Sequence, residues 1–197
     1  VVFLVDDDAS VLKSLKRLVL SVGLAVETFS SAMDFLRNPF YDGPCCLVSD
    51  IRMPGLSGLD LKKKMTETGK HRPTIFITGH GDIPMSVKAM KQGAEDFLEK
   101  PFNDQDLLDV IQHAIGKSRE MIRDQSKIMR IQQHEESLTP REREVFHMVV
   151  RGMLNKQVAY DLHISEKTVK IHRAQVMKKM QAKSLADLVR MAGKIEH

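Results

Sequence analysis

Asp6, Asp7 and Asp8 follow the apolar run Val1–Val5, and Asp50 closes the run that begins at Cys45. Thr78 ends another β-rich run, and Lys100 follows one more. Brought together, these carboxylates would repel one another and raise the proton affinity of at least one, unless a cation sat among them. Mg²⁺ is the natural cation, since it takes six oxygen ligands from carboxylates, water and phosphate oxygens. An aspartate beside such an ion can attack phosphorus as a nucleophile, with an ammonium and a hydroxyl stabilising the transferred group's oxygens. Asp50, Lys100 and Thr78 offer those groups. Singly, each has a plainer reading: Asp8 as a helix N-cap, Thr78 as a β-branched strand residue, Lys100 as a solvated charge. Their joint placement turns the balance toward a site.

The positioning elements are legible in the period of the apolar residues. Strands are predicted at 1–5, 25–29, 45–49, 74–78 and 96–99, separated by segments with three-to-four-residue apolar spacing, such as Val11, Leu15, Leu18 and Val22. Five strands alternating with five helices imply an α/β fold with a doubly wound five-stranded parallel sheet. In such a sheet, chemistry gathers at the carboxyl ends of the strands, where the residues above fall. From Asp104 the strand signals stop, and a helix is expected to run on through Gly116, at a cost of about 1 kcal/mol relative to alanine. The predicted organisation is a domain over residues 1–115, a helical linker over 116–137 and an all-α four-helix domain over 138–197. Its helices are expected at 140–151, 155–162, 166–180 and 184–193. Thr139 and Glu142 have capping-box spacing with Pro140 at the first helical position, Gly152 ends that helix, and Ser165 caps the third.

Charge separates the two ends of the chain. Of 197 residues with net charge +4, residues 1–115 hold 13 Lys/Arg against 16 Asp/Glu, and residues 138–197 hold 12 against 6. A basic rear unit behind a mildly acidic front points to a polyanionic partner for the rear alone. No apolar run is long enough for a membrane span or reads as a signal peptide. Cys45 and Cys46 are adjacent, without metal-ligand spacing, and read as packing residues in a reducing cytoplasm. Lys62-Lys63-Lys64 reads as a solvated helix face, and most methionines as core packing.

Four segments together resemble the receiver domain of bacterial two-component response regulators, a flavodoxin-like fold. They are Val5-Asp6-Asp7-Asp8, Ser49-Asp50-Ile51-Arg52-Met53-Pro54-Gly55, Ile77-Thr78-Gly79-His80-Gly81 and Lys100-Pro101-Phe102. The resemblance covers residues 1–115. It implies phosphorylation of Asp50, and Mg²⁺ held by Asp6, Asp7, Asp50 and the main-chain carbonyl of Arg52. It further implies Thr78 and Lys100 at the phosphoryl group, an aromatic switch at Phe97 and a cis Lys100–Pro101 bond. Residues 138–193, through Leu138-Thr139-Pro140-Arg141-Glu142 and Ser165-Glu166-Lys167-Thr168-Val169-Lys170-Ile171-His172, resemble the helix-turn-helix effector of the LuxR, NarL and FixJ class. With His80-Gly81-Asp82-Ile83-Pro84-Met85, the chain is most similar to the FixJ branch.

Helical spacing supports that second resemblance. Val169, His172, Val176 and Met180 share one face, while Lys167, Lys170, Ile171, Ala174 and Lys178 share another that can enter a major groove. The family positions place Lys170 and Ile171 near bases, while Asn155, Lys156, Thr168 and Arg173 suit phosphate contacts. An arginine common near the start of the family's last helix is replaced by Ser184-Leu185. Phe146 and Tyr160 are the rear domain's only aromatics, too few for a single-strand stacking platform, so duplex promoter DNA is the expected partner.

The expected function is a phosphorylation-activated transcriptional regulator in the bacterial cytoplasm. No kinase signature is present, so a sensor histidine kinase must supply the phosphoryl group. Homodimerisation is expected through a face carrying Val87, Met90 and Lys91. The competing reading is a phosphatase that passes through an aspartyl-phosphate. Such enzymes of the haloacid-dehalogenase type keep an acid/base aspartate two residues after the nucleophile, where Arg52 stands, so only slow autodephosphorylation is expected.

Overall fold

The structure is a computed structural model that describes residues 1–39, 41–79, 83–91 and 93–195. The His80-Gly81-Asp82 part of the FixJ-like motif lies outside the described residues. The chain divides into two compact units, Val1–Ile122 and Arg123–His197.

The first unit is a five-stranded sheet. Its strands are β1 (Val2–Val5), β2 (Val26–Phe29), β3 (Cys46–Asp50), β4 (Thr74–Thr78) and β5 (Asp96–Glu99), in the order β2-β1-β3-β4-β5. Every pairing is parallel, with Val5 opposite Ser49 and Asp50 opposite Ile77. Helices α1 (Ala9–Ser21), α2 (Ala32–Arg37), α3 (Gly58–Glu67), α4 (Ile83–Lys91) and the first part of α5 (Asp104–Glu136) alternate with the strands. Successive residues of a strand face opposite sides, so β1 divides its apolar residues between two layers. Val2 and Leu4 pack with Leu15, Val19, Ile75, Ile77, Leu107 and Ile111, beneath α1 and α5. Phe3 and Val5 pack on the other side with Phe35, Leu61 and Met65, beneath α2 and α3. The central strands are buried on both faces, which is why they read as unbroken apolar runs.

Lys62 departs from the solvated face expected of the triple-lysine run. It is 7% exposed, and its Nζ donates to the main-chain carbonyl of Arg72 at 2.9 Å. Helical geometry turns neighbouring residues about 100° apart, so Lys63 and Lys64 stay exposed while Lys62 is buried against the segment that joins α3 to β4. Burial pulls the Lys62 ammonium below its ordinary pKa, against which Glu95 acts.

In the second unit, the end of α5 is followed by α6 (Pro140–Val150), α7 (Asn155–Asp161), α8 (Glu166–Lys179) and α9 (Leu185–Ile195). Thr139 and Glu142 form the capping box reciprocally, and Ser165 caps α8 by accepting from the Thr168 N–H. Gly152 stands just after α6 with φ +87°, a left-handed conformation that costs a glycine nothing. Val145, Phe146, Val158, Val169, Val176, Met180 and Leu188 form the core, and Ile131 of α5 is buried with them. One helix thus supplies Leu107, Ile111 and Ile115 to the first core and Ile131 to the second.

Candidate functional site

The strand order reverses between β1 and β3, and the crevice outside a doubly wound sheet opens at such a point. Asp6 stands just past the end of β1, and Asp50 is the last residue of β3. Both are largely buried. Lys100, one residue beyond β5, spans the gap: its Nζ donates to Asp6 Oδ2 at 2.8 Å and to Asp50 Oδ1 at 3.2 Å. These contacts join residues 94 and 50 positions apart in the chain.

Each carboxylate is held by a second donor. Asp6 Oδ1 accepts from the Asp8 N–H at 2.9 Å, and Asp50 Oδ2 from the Arg52 N–H at 2.7 Å. Asp8 itself caps α1, accepting from the N–H groups of Ser10 and Val11. Lys100 is fixed through its main chain, where its N–H donates to the Thr78 carbonyl at 2.7 Å. The Lys100–Pro101 bond is cis. Thr78 is buried at the end of β4, and Phe97 packs beside Ile51, Leu59, Phe76, Ala89 and Ala94.

The charge here is unbalanced, with two carboxylates facing one ammonium. Burial pushes the Asp50 carboxyl above its ordinary pKa and Asp6 adds to the rise, while Lys100 and the Arg52 N–H oppose it. Burial would lower the Lys100 pKa, yet the two carboxylates outweigh it and hold the ammonium above its usual value. Asp7 is exposed, and among the described residues no three His, Cys, Asp or Glu side chains gather closely enough to hold a metal by themselves.

Gly58 was not singled out from the sequence, yet the site depends on it. A Cβ there would collide with the Asp50 carbonyl oxygen and lie 2.9 Å from Ser49 Oγ. Its N–H donates to the Ile51 carbonyl at 3.0 Å, so α3 begins hard against the strand end that carries Asp50. The glycines of the Pro54-Gly55-Leu56-Ser57-Gly58 segment were the available signal, and Gly55 itself takes φ +80°.

On α4, Val87 and Met90 are 45% and 49% exposed, and Lys91 is also exposed. These are two large apolar side chains that the fold leaves without cover.

In the second unit, α8 divides as its spacing predicted. Val169, Val176 and Met180 are buried and His172 is half-buried, whereas Lys167, Lys170, Ala174 and Lys178 are exposed. Ile171, on that outer face, is 55% exposed. Asn155 and Arg173, both read as phosphate contacts, meet each other: Arg173 Nη1 donates to Asn155 Oδ1 at 2.6 Å. Lys156 is exposed at the start of α7, and the Thr168 hydroxyl lies 2.8 Å from Ser165 Oγ. Where the family's arginine is replaced, Ser184 accepts from the Asp187 N–H at 3.1 Å and caps α9.

A doubly wound sheet with acidic residues at its switch point, joined to a basic helix-turn-helix, defines the class to which the comparisons lead. Residues 2–112 match the response regulator receiver domain, and residues 136–192 match the LuxR family of bacterial regulatory proteins. Nodulation protein W of Bradyrhizobium diazoefficiens is 50% identical over 192 residues, which cover 98% of this chain and 85% of that protein. Response regulator protein TodT of Pseudomonas putida is 45% identical over 196 residues, covering 100% and 86%. Among solved structures, the response regulator StyR aligns with a TM-score of 0.84 at 45% identity, covering 98% of both chains. The chain belongs to the two-component response regulators with a LuxR-type DNA-binding domain, and is a transcriptional regulator rather than a catalytic enzyme. Among the described residues, no helix is long and apolar enough to cross a membrane.

Proposed function

We propose that Asp50 is the phosphoryl acceptor of this regulator and that its modification controls promoter binding by α8. The observation that carries the reading is the Lys100 ammonium shared between Asp6 and Asp50 at 2.8 and 3.2 Å. A nucleophile, a carboxylate partner and a charge-stabilising cation meet there at one sheet edge. The donor is a phosphohistidine of a sensor kinase. The bond from phosphorus to the imidazole nitrogen breaks as one forms to an Asp50 oxygen, and the electron pair returns to the imidazole, which takes a proton from solvent.

Two carboxylates around one ammonium leave negative charge uncompensated, and the available donors are oxygens, so the site suits Mg²⁺. Asp6, Asp7, Asp50 and the Arg52 main-chain carbonyl would hold the ion. When bound, Mg²⁺ supplies positive charge against the equatorial oxygens of the transferred group. Lys100 and the Thr78 hydroxyl take the remaining share. The product adds about −1.5 to −2 charge at Asp50. Thr78 and Phe97 adjust to it and bias α4 toward pairing of its Val87, Met90 and Lys91 face with a second copy. Two effector units then reach paired half-sites on duplex DNA in the bacterial cytoplasm. There Lys170 and Ile171 face bases, with Lys167, Ala174 and Lys178 beside them on the same helix face. Asn155, Lys156, Thr168 and Arg173 meet the backbone. Residues 1–115 form the acceptor domain, 116–137 the linker and 138–197 the effector in this scheme.

The test is a promoter footprint and a sedimentation profile with and without a small phosphodonor. Wild type is expected to dimerise and protect DNA more strongly when phosphorylated, and Asp50→Asn to show neither change. An Asp50→Asn protein that responded as wild type does would overturn the proposal.

A further inference from the structure

The outer face of α8 accounts for its exposed lysines but not for Lys179, in its last turn. Lys179 Nζ donates to Glu142 Oε2 at 2.6 Å and to the Ser137 carbonyl at 3.1 Å. Glu142 lies in the first turn of α6 with its side chain 8% exposed, and the same Oε2 accepts the Thr139 N–H at 2.8 Å. Ser137 is the residue after α5. One ammonium therefore joins the end of α8 to the start of α6 and the end of α5. The end of α5 is itself tied to α6, since Arg143 Nη2 donates to the Glu135 carbonyl at 3.3 Å.

Burial of Val169, Val176 and Met180 sets which face of α8 turns inward, but apolar burial is non-directional and leaves the finer angle of the helix to directional contacts. Charge-assisted hydrogen bonds are directional. Among the described residues, two polar ties reach out from α8 to other helices: Arg173 to Asn155 on α7, and Lys179 to Glu142 and Ser137. If Arg173 and Asn155 turn to DNA phosphates, the Lys179 tie is the one left, among the described residues, to add a directional constraint to the apolar packing of α8. Its charge is closed: the Lys179 ammonium first, and the Thr139 N–H after it, hold the Glu142 carboxyl below the usual carboxylate range.

We propose that Lys179 is a positioning residue for DNA recognition, which fixes the angle at which Lys170 and Ile171 meet the bases by holding the end of α8 to Glu142 and Ser137. The inference rests on the helix-turn-helix reading above and deepens it. Lys179 need not touch DNA to do this.

The test uses the full chain, a duplex selected from a random pool by the wild-type protein and a shuffled duplex of the same length, with affinity followed across a salt series. Lys179→Met is expected to lose about tenfold in its preference for the selected duplex, the scale of one misread base pair. Its affinity for shuffled DNA and its salt slope should match wild type. Lys179→Arg should restore most of the preference, Glu142→Gln should lose as much as Lys179→Met, and the double variant should lose no more. A Lys179→Met protein with its preference intact and a salt slope lower by about one would make Lys179 a phosphate contact and overturn the proposal. Unchanged binding would overturn it as well. Should Lys179→Met fail to fold, Glu142→Gln and Lys179→Arg decide, and an intact preference in folded Glu142→Gln ends the proposal. A wild-type chain without preference for any selected duplex would instead sink the helix-turn-helix reading, and this inference with it.

Discussion

Each unit of the protein builds a cluster around one lysine, and the two clusters are closed to different degrees. In the receiver, Lys100 serves two carboxylates, and burial together with Asp6 leaves the Asp50 carboxyl above its ordinary pKa. In the effector, Lys179 serves one carboxylate that also accepts a main-chain N–H, and Glu142 is held below its ordinary pKa. The first cluster is left in want of positive charge, which suits the cation and phosphoryl group proposed for it. The second already has its charges matched, as a structural joint should. Similar residue types thus differ in how completely the fold compensates their charges.

The largest expected contrast is covalent. Asp50→Asn should abolish phosphoryl incorporation from a small phosphodonor, read by phosphate-affinity electrophoresis, whereas Glu142→Gln should incorporate as wild type does. Incorporation surviving in Asp50→Asn would place the acceptor elsewhere.

Next in size is the core that the end of α5 shares with the effector. Ile131→Ala should destabilise the second unit by about 2–4 kcal/mol, the usual cost of truncating a buried aliphatic side chain. Chemical denaturation followed by probes in each unit should show the receiver transition unmoved. Equal loss in both units would mean that Ile131 is not particular to the effector core.

A smaller effect is expected at the closed cluster. Glu142→Gln should cost about 1.5–3 kcal/mol at pH 7, the range for a hydrogen bond to a charged group. The folded-state pKa of Glu142 lies below its unfolded value, so its contribution is present above about 4.5 and fades as pH falls through the depressed value. Melting curves of the variant and wild type should therefore converge in acid.

The open cluster should behave in the opposite sense, with the smallest effect. The Asp50 pKa is raised on folding, so its ionisation works against the folded state once pH rises above the ordinary carboxylate value of 3.8. Asp50→Asn is expected to raise the receiver's melting temperature modestly at pH 7, with the gap closing as pH approaches 3.8. A gap that widened in acid would contradict the charge imbalance on which the comparison rests.

Much of this was legible along the chain because it depends on local chemistry. The five strands were marked to within a residue of their observed ends: β1, β3 and β4, buried on both faces, read as apolar runs, whereas the partly buried edge strands β2 and β5 read as short β-rich segments between helical patterns. The Thr139 box and the Ser165 cap were readable because a cap is made by residues three positions apart. The two faces of α8 followed from helical spacing alone. Gly58 was not legible, because its need for a bare Cα comes from the Asp50 carbonyl, which only the packing of α3 brings near. The burial of Lys62 and the tie made by Lys179 escaped notice for the same reason. A lysine's role depends on which acceptor the tertiary structure sets beside it, and Arg72 and Ser137 provide main-chain carbonyls that leave no mark in residue type.

Residue types and spacing by themselves determined the strands, the caps and the candidate groups Asp6, Asp50, Thr78 and Lys100, because each depends on near neighbours or on a period. The tertiary structure decided which of those groups share a proton donor, which lysines are solvated, and which carboxylate is left short of positive charge. Those are matters of distance and burial, and residues 94 positions apart acquire both only when β1 and β5 take their places in one sheet.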